Sequence, residues 1–361
     1  MTDINKQVSS NIINITSIAK TLAMIIPLAV AANFIYVLLA NKGNFWNHLS
    51  ELNFLYVLLA SILTFIPWLT HATRVYLWGK SMQKEFKLSQ ALKTVLANDV
   101  GGAVVPVAAG GGYAKLGFLM TYRFSTSEAT LITLMGTIED GLFFAVSLPL
   151  AIILSRSWDN VYLVQLLKQF NSKWPILLGL IGICIVLYFM AKALKNLYLT
   201  KNSFSGNKNS VKLLTAISNY KQDLKSAFVY MFKNKKGLFF FNVFLAGIGW
   251  ISRYSIVALL IAAFGFHINP MLAFVLQWLV FSAASMIPTP GGVVAAEFSF
   301  AVIFNSFVPS SAMPILVGIW RFITFYLIVI TGALWLAISG TDIANAKGSR
   351  NQELKLEKVK A

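Results

Sequence analysis

Ionisable side chains stand where the sequence is otherwise apolar. Asp99 and Lys115 bracket a glycine-rich stretch, and Glu139 and Asp140 lie near the middle of the apolar run 127–154. Arg253 lies near the middle of the run 237–264. Glu297 follows a proline–glycine break, and Arg321 lies in the outer third of 313–338, next to Trp320. A charge at the centre of a bilayer span is unfavourable by about 2.5–3.5 kcal/mol on insertion scales, so each one needs a partner or a purpose. Both signs occur in each half of the chain: Lys115 has Glu139 or Asp140 as a partner, and Glu297 has Arg321 or Arg253. On one reading the pairs only neutralise each other and lock helices together, Glu139 above all. On the other, a cation faces a cavity and receives an anionic head group. Arginine suits phosphate because its planar fork makes two parallel hydrogen bonds. A helix starting after Gly292 adds free N–H groups that also favour an anion. The candidate substrate-binding residues are therefore Arg321, Glu297, Arg253, Lys115, Glu139 and Asp140.

Two backbone breaks must position these groups. The first, VGGAVVPVAAGGGYAK, holds Gly101, Gly102, Pro106, Gly110, Gly111 and Gly112. The second, SMIPTPGGVVAAEF, holds Pro288, Pro290, Gly291 and Gly292. Proline removes a helix donor and pushes the residue before it out of the helical region. Each break interrupts an apolar region, 94–122 and 271–308.

The rest of the chain reads as membrane. It is 57% hydrophobic and 12% charged over 361 residues, about half the charge of a soluble domain, with a mean hydropathy of +0.69. Apolar runs of bilayer length at 21–40, 52–73, 127–154, 175–198, 237–264 and 313–338 predict six full spans. The net charge of +17 is concentrated beside these runs: residues 192–236 carry ten lysines against Asp223 alone, and 74–93 carry Arg74, Lys80, Lys84, Lys87 and Lys93 against Glu85. That is the positive-inside pattern, suited to anionic lipid rather than to nucleic acid. It places 1–20, the loop 199–236 and the basic tail 339–361 in the cytoplasm. His71 reads as an interfacial histidine, and Trp46, Trp68, Trp158, Trp174 and Trp335 read as interfacial anchors.

With those sides fixed, each broken region begins and ends on one side. The first half, 21–198, and the second half, 237–338, each carry a span, a re-entrant helical hairpin and a span, in opposite directions. The expected architecture is an all-α polytopic membrane protein with an inverted-topology repeat, whose paired breaks point to a transport site near the midplane. A packing role for the glycines is the plainer alternative. Cys184 is alone, and His48, His71 and His267 show no metal-ligand spacing. No nucleotide loop or nucleophile elbow occurs, so no cofactor, no metal and no enzymatic activity are expected.

PTPGGVVAAEFSF, followed by GIWRFITFY, resembles the C-terminal signature of the lysylphosphatidylglycerol synthase membrane-domain family, flippase-like proteins. Pro288, Pro290, Gly291, Gly292, Glu297 and Arg321 match its pattern, while Val294 replaces the usual third glycine. Pro106, Gly110 to Gly112 and Lys115 resemble the first-half element less closely, and Glu139 and Asp140 resemble its acidic span loosely. The resemblance covers roughly residues 20–338. It implies a stand-alone lipid translocase of a bacterial-type inner membrane, without the synthase domain, acting on an anionic phospholipid, glycolipid or polyprenyl-linked lipid. A lipid-biosynthesis enzyme is the expected partner. Two alternatives remain open: a membrane-embedded lipid-modifying enzyme using Glu139, Asp140 or Glu297 as acid or base, and a scaffold that holds lipid for a glycosyltransferase.

Overall fold

The computed structural model describes residues 50, 52–104, 110–156, 222, 226, 229, 233–286 and 293–336, and every element among them is a helix. The expected spans 21–40 and 175–198, the tail, the turn residues Pro106, Pro288, Pro290, Gly291 and Gly292, and nearly all of the basic loop lie outside the described residues. The helices are α1 (Phe54–Leu63), α2 (Ile66–Ser81), α3 (Leu88–Val104), α4 (Gly110–Thr121) and α5 (Thr126–Ser155), then α6 (Lys236–Ala263), α7 (Pro270–Met286), α8 (Val293–Phe304) and α9 (Met313–Arg321). A π-helical turn, Phe322–Tyr326, continues α9 without a gap.

Among the described residues, four stretches are long and apolar enough to cross a membrane: Phe54–Ser81, Thr126–Ser155, Lys236–Ala263 and Met313–Leu336. They match four of the expected spans. One differs: the run expected to end at residue 73 continues helical to Ser81, because Arg74 is an interior residue at 5% exposure and not a flanking charge. Large apolar side chains such as Leu58, Leu69, Val146, Leu150, Phe240 and Phe244 face outward, as helices surrounded by lipid require.

Local sequence sets the ends. Asn53 caps α1 by accepting from Leu55 N at 3.1 Å. Ser125 and Glu128 form a reciprocal capping box at α5, and Arg156 ends that helix in the left-handed region at φ 51°. Between α1 and α2, Pro67 has no N–H to offer the Leu63 carbonyl, and the Ser252 hydroxyl on α6 donates to that oxygen instead, at 3.0 Å. The Thr64 hydroxyl donates to Ile323 O, in the π-helical turn, at 3.1 Å. Gly249 permits this approach of α6 to α2, since a Cβ there would stand 2.7 Å from Thr70 Oγ1.

α3 and α4 double back on each other. A Cβ on Gly111 would stand 2.6 Å from the Asn98 carbonyl oxygen, so only glycine fits this crossing. The pair opens where α2 ends and α5 begins: Lys84 meets Glu128 at 3.1 Å and donates to Arg123 O at 3.4 Å, and Phe86 packs edge-on against Phe124. α7 and α8 also pack together, and their pair opens where α6 ends and α9 begins, with Phe264 against Ile315. α6 runs antiparallel to α1 and α2, with Asn53 N donating to Ala263 O at 2.9 Å and Ser252 reaching Leu63. The two helix pairs therefore open at opposite ends of the bundle. Lysines gather at the end of the first pair, including Lys84, Lys87, Lys235 and Lys236.

In a Cys184-free chain, single cysteines at Glu85 and Arg123 should react with an impermeant thiol reagent from one face of the membrane, and cysteines at His267 and Ser310 from the other. Reaction of the first two from opposite faces would make 94–122 a single crossing.

Candidate functional site

Where α2, α4, α5 and α6 meet, the interior is charged. α2 carries Trp68, His71, Arg74 and Trp78, spaced three, three and four residues apart, which puts them along one helix face. Arg74 uses its whole fork: Nε and Nη2 reach Glu139 Oε2 at 2.8 Å, Nη1 reaches Asp140 Oδ1 at 2.8 Å, and Nη2 also donates to Gly136 O at 2.9 Å. The other Glu139 oxygen, Oε1, accepts from Trp78 Nε1 at 2.6 Å and from Asn242 Nδ2 of α6 at 3.2 Å. Glu139 is fully buried at 0% exposure, while the Asp140 side chain is 32% exposed. A Cβ at Gly136 would make only ordinary contacts, 3.5 Å from Lys115 Nζ and 3.8 Å from Arg74 Nη2.

Lys115, one turn into α4, does not pair with Glu139 or Asp140 as expected. Its Nζ lies 3.0 Å from His71 Nε2, and Arg74 holds both carboxylates. His71 is thus an interior group bound to the first helix pair, not an interfacial one. Trp68 is corrected likewise: it is 9% exposed, and its Nε1 donates to Asp99 Oδ2 at 2.8 Å. Trp335 is 50% exposed. Gly111 sits at the crossing of α3 and α4, whereas Gly112 faces open space.

The second helix pair brings a separate pairing together. Glu297 on α8 meets Arg321 on α9, Oε1 to Nε at 3.7 Å, and the Arg321 guanidinium lies over the Phe325 ring at 4.2 Å. The π-helical turn begins at the residue after Arg321. Such turns insert an extra residue into a helix and often lie at functional sites. Trp320 packs against Phe300 at 4.4 Å between ring centres.

Arg253 on α6 belongs to neither pairing. Its guanidinium rests 5.9 Å from the Trp250 ring centre and 5.7 Å from that of Phe281, and its buried Nε has no hydrogen-bond partner. No ion pair joins it among the described residues. It is within electrostatic reach of both His71 and Arg321. The sequence reading missed the partners Arg74, Trp78 and Asn242. The available signal was the common helix face of Trp68, His71, Arg74 and Trp78.

A family model described as the lysylphosphatidylglycerol synthase TM region matches residues 24–332. A UPF0104 membrane protein of Archaeoglobus fulgidus is 22% identical over 303 residues, which span 80% of this chain and 88% of that protein. Together with the four long apolar helices, these likenesses make the chain a multi-pass membrane protein.

Glu139→Leu should lower stability by about 3–5 kcal/mol, because it leaves Arg74 short of a buried counter-charge and strips Trp78 and Asn242 of their acceptor. Lys84→Ala, which removes a partly exposed ion pair, should cost less than about 1 kcal/mol. Detergent-induced unfolding in mixed micelles measures both. Equal losses would mean that the interior network does not hold the helices.

Proposed function

We propose, from the premise that the chain belongs to the lysylphosphatidylglycerol synthase transmembrane-region family, that it moves a lipid with an anionic head group between membrane leaflets. The observation that carries this reading is the two helix pairs, opening at opposite ends of the bundle, with charge buried beside each. Irregular backbone at membrane depth is tolerated only within protein or along a wet cavity. In this reading the pairs are re-entrant hairpins of an inverted repeat. The lysine-bearing end and both termini face the cytoplasm of the cell membrane.

Arg253 and Arg321 receive the phosphate in turn as the head group passes. Glu297 holds Arg321 in place at 3.7 Å, a loose contact that an incoming anion can replace. Glu139 and Asp140 act as positioning residues through Arg74. Glu139 is unsuited to act as acid or base, because both its oxygens already accept two donors each, which leaves no free lone pair for a reacting group. The partners are the bilayer, the lipid and an enzyme of lipid biosynthesis that supplies or consumes it.

Lipid movement in reconstituted vesicles, followed with a head-group-labelled anionic lipid and a membrane-impermeant quencher, tests this. Arg321→Lys should keep the charge and the fold but lose the planar fork, and slow movement by about tenfold or more, equivalent to about 1.4 kcal/mol. If Arg321→Lys and Glu297→Gln both move lipid at the wild-type rate, this pair is only a packing device.

A further inference from the structure

Gln277 lies on α7 in the middle of its buried face, at 1% exposure, yet neither its amide oxygen nor its amide nitrogen has a hydrogen-bond partner. A buried amide left unpaired on both sides is unfavourable, and a leucine of the same size would avoid the cost. Gln277 is one turn from Phe274 and one turn from Phe281. The Tyr254 ring packs against both, at 5.1 Å and 5.6 Å, and Phe281 also carries the Arg253 guanidinium. Arg253 and Gln277 thus flank one cluster of rings at the meeting of α6 and α7. One supplies a charge without a counter-ion, and the other supplies an unused donor and an unused acceptor.

We infer that Arg253 and Gln277 form a head-group site for a phosphodiester lipid whose head group carries hydroxyls. This rests on the transport reading above and deepens it. The arginine takes the phosphate through its fork. The amide then needs one group that both donates and accepts, and a hydroxyl does both. A bare phosphate monoester accepts from the amide nitrogen but leaves the amide oxygen unpaired. A choline head group offers the amide nothing. An ethanolamine head group donates to the oxygen but brings a second cation beside Arg253. The site therefore selects a polyol head group, such as glycerol or a sugar, and rejects the others by leaving Gln277 unsatisfied.

The test is lipid binding by the full chain in detergent micelles, measured by native mass spectrometry. The hydroxylated probes are dioctanoyl phosphatidylinositol and dioctanoyl phosphatidylglycerol. The comparisons are dioctanoyl phosphatidate, dioctanoyl phosphatidylcholine and the water-soluble glycerophosphoinositol. At least one hydroxylated lipid should bind about tenfold or more tightly than phosphatidate. Gln277→Leu should abolish that preference, bringing the hydroxylated lipids down to the affinity of phosphatidate. This variant keeps the volume and removes the unpaired amide, so it should fold at least as well as wild type. Arg253→Gln should weaken both lipid classes by about tenfold or more. A wild type without the preference, or a Gln277→Leu protein that keeps it, overturns the site. Equal affinity for glycerophosphoinositol overturns the assignment to a lipid. If the preference holds in micelles but no lipid moves in vesicles, transport fails and the binding site stands.

Discussion

The buried carboxylate of Glu139 is the constraint on which the first half of the bundle depends. Out of water, an ionised carboxylate is tolerable only when its lone pairs are filled by good donors. Arg74, Trp78 and Asn242 fill them, and they come from two helices other than that of Glu139. The distances of 2.6 to 3.2 Å leave little room for sliding, so the requirement fixes the register of α2, α5 and α6 at once. Lys115 and His71 then tie the first helix pair to the same centre.

The backbone obeys the same rule. Each interruption in a lipid-facing helix exposes a carbonyl that lipid cannot satisfy. Pro67 frees the Leu63 carbonyl, and Ser252 supplies the missing donor. One residue on, Thr64 donates to Ile323 within the π-helical turn. The kink in α1–α2 and the irregular turn after Arg321 therefore share a hydrogen bond. A shift of one is felt by the other, which links the first half of the chain to the cation of the second.

Four of the six expected spans and both helix pairs were legible because the length of apolar runs and the glycine–proline breaks are properties of continuous sequence. The Glu297–Arg321 contact was legible for a related reason, as the two residues fall in one short motif. Arg74 was not legible. Counting basic residues near the end of an apolar run treats every one as a flank, and only a partner 65 residues away makes this one an interior residue. Trp68 was misread in the same manner, since a tryptophan near a span end is usually an anchor until an acid such as Asp99 is found beside its N–H. Gln277 escaped because it is uncharged and scarcely disturbs a hydropathy window. Its significance lies in what it fails to touch, which no local pattern records.

The polar capacity of the bundle is unevenly used. Around Arg74 four of the five N–H directions meet an oxygen, so that centre is largely spent and serves as a frame. Arg253 is held differently. An aromatic face attracts a guanidinium through its quadrupole but offers no lone pair to the N–H groups at its edge. Trp250 and Phe281 can therefore stabilise the charge in an apolar setting and leave the hydrogen-bonding edge of the fork unspent. A carboxylate in their place would stabilise the cation more strongly and compete with any incoming phosphate. Rings instead of an acid are what a transient anion site needs. At the proposed site the charge would persist without a ligand, and an arriving anion would displace nothing.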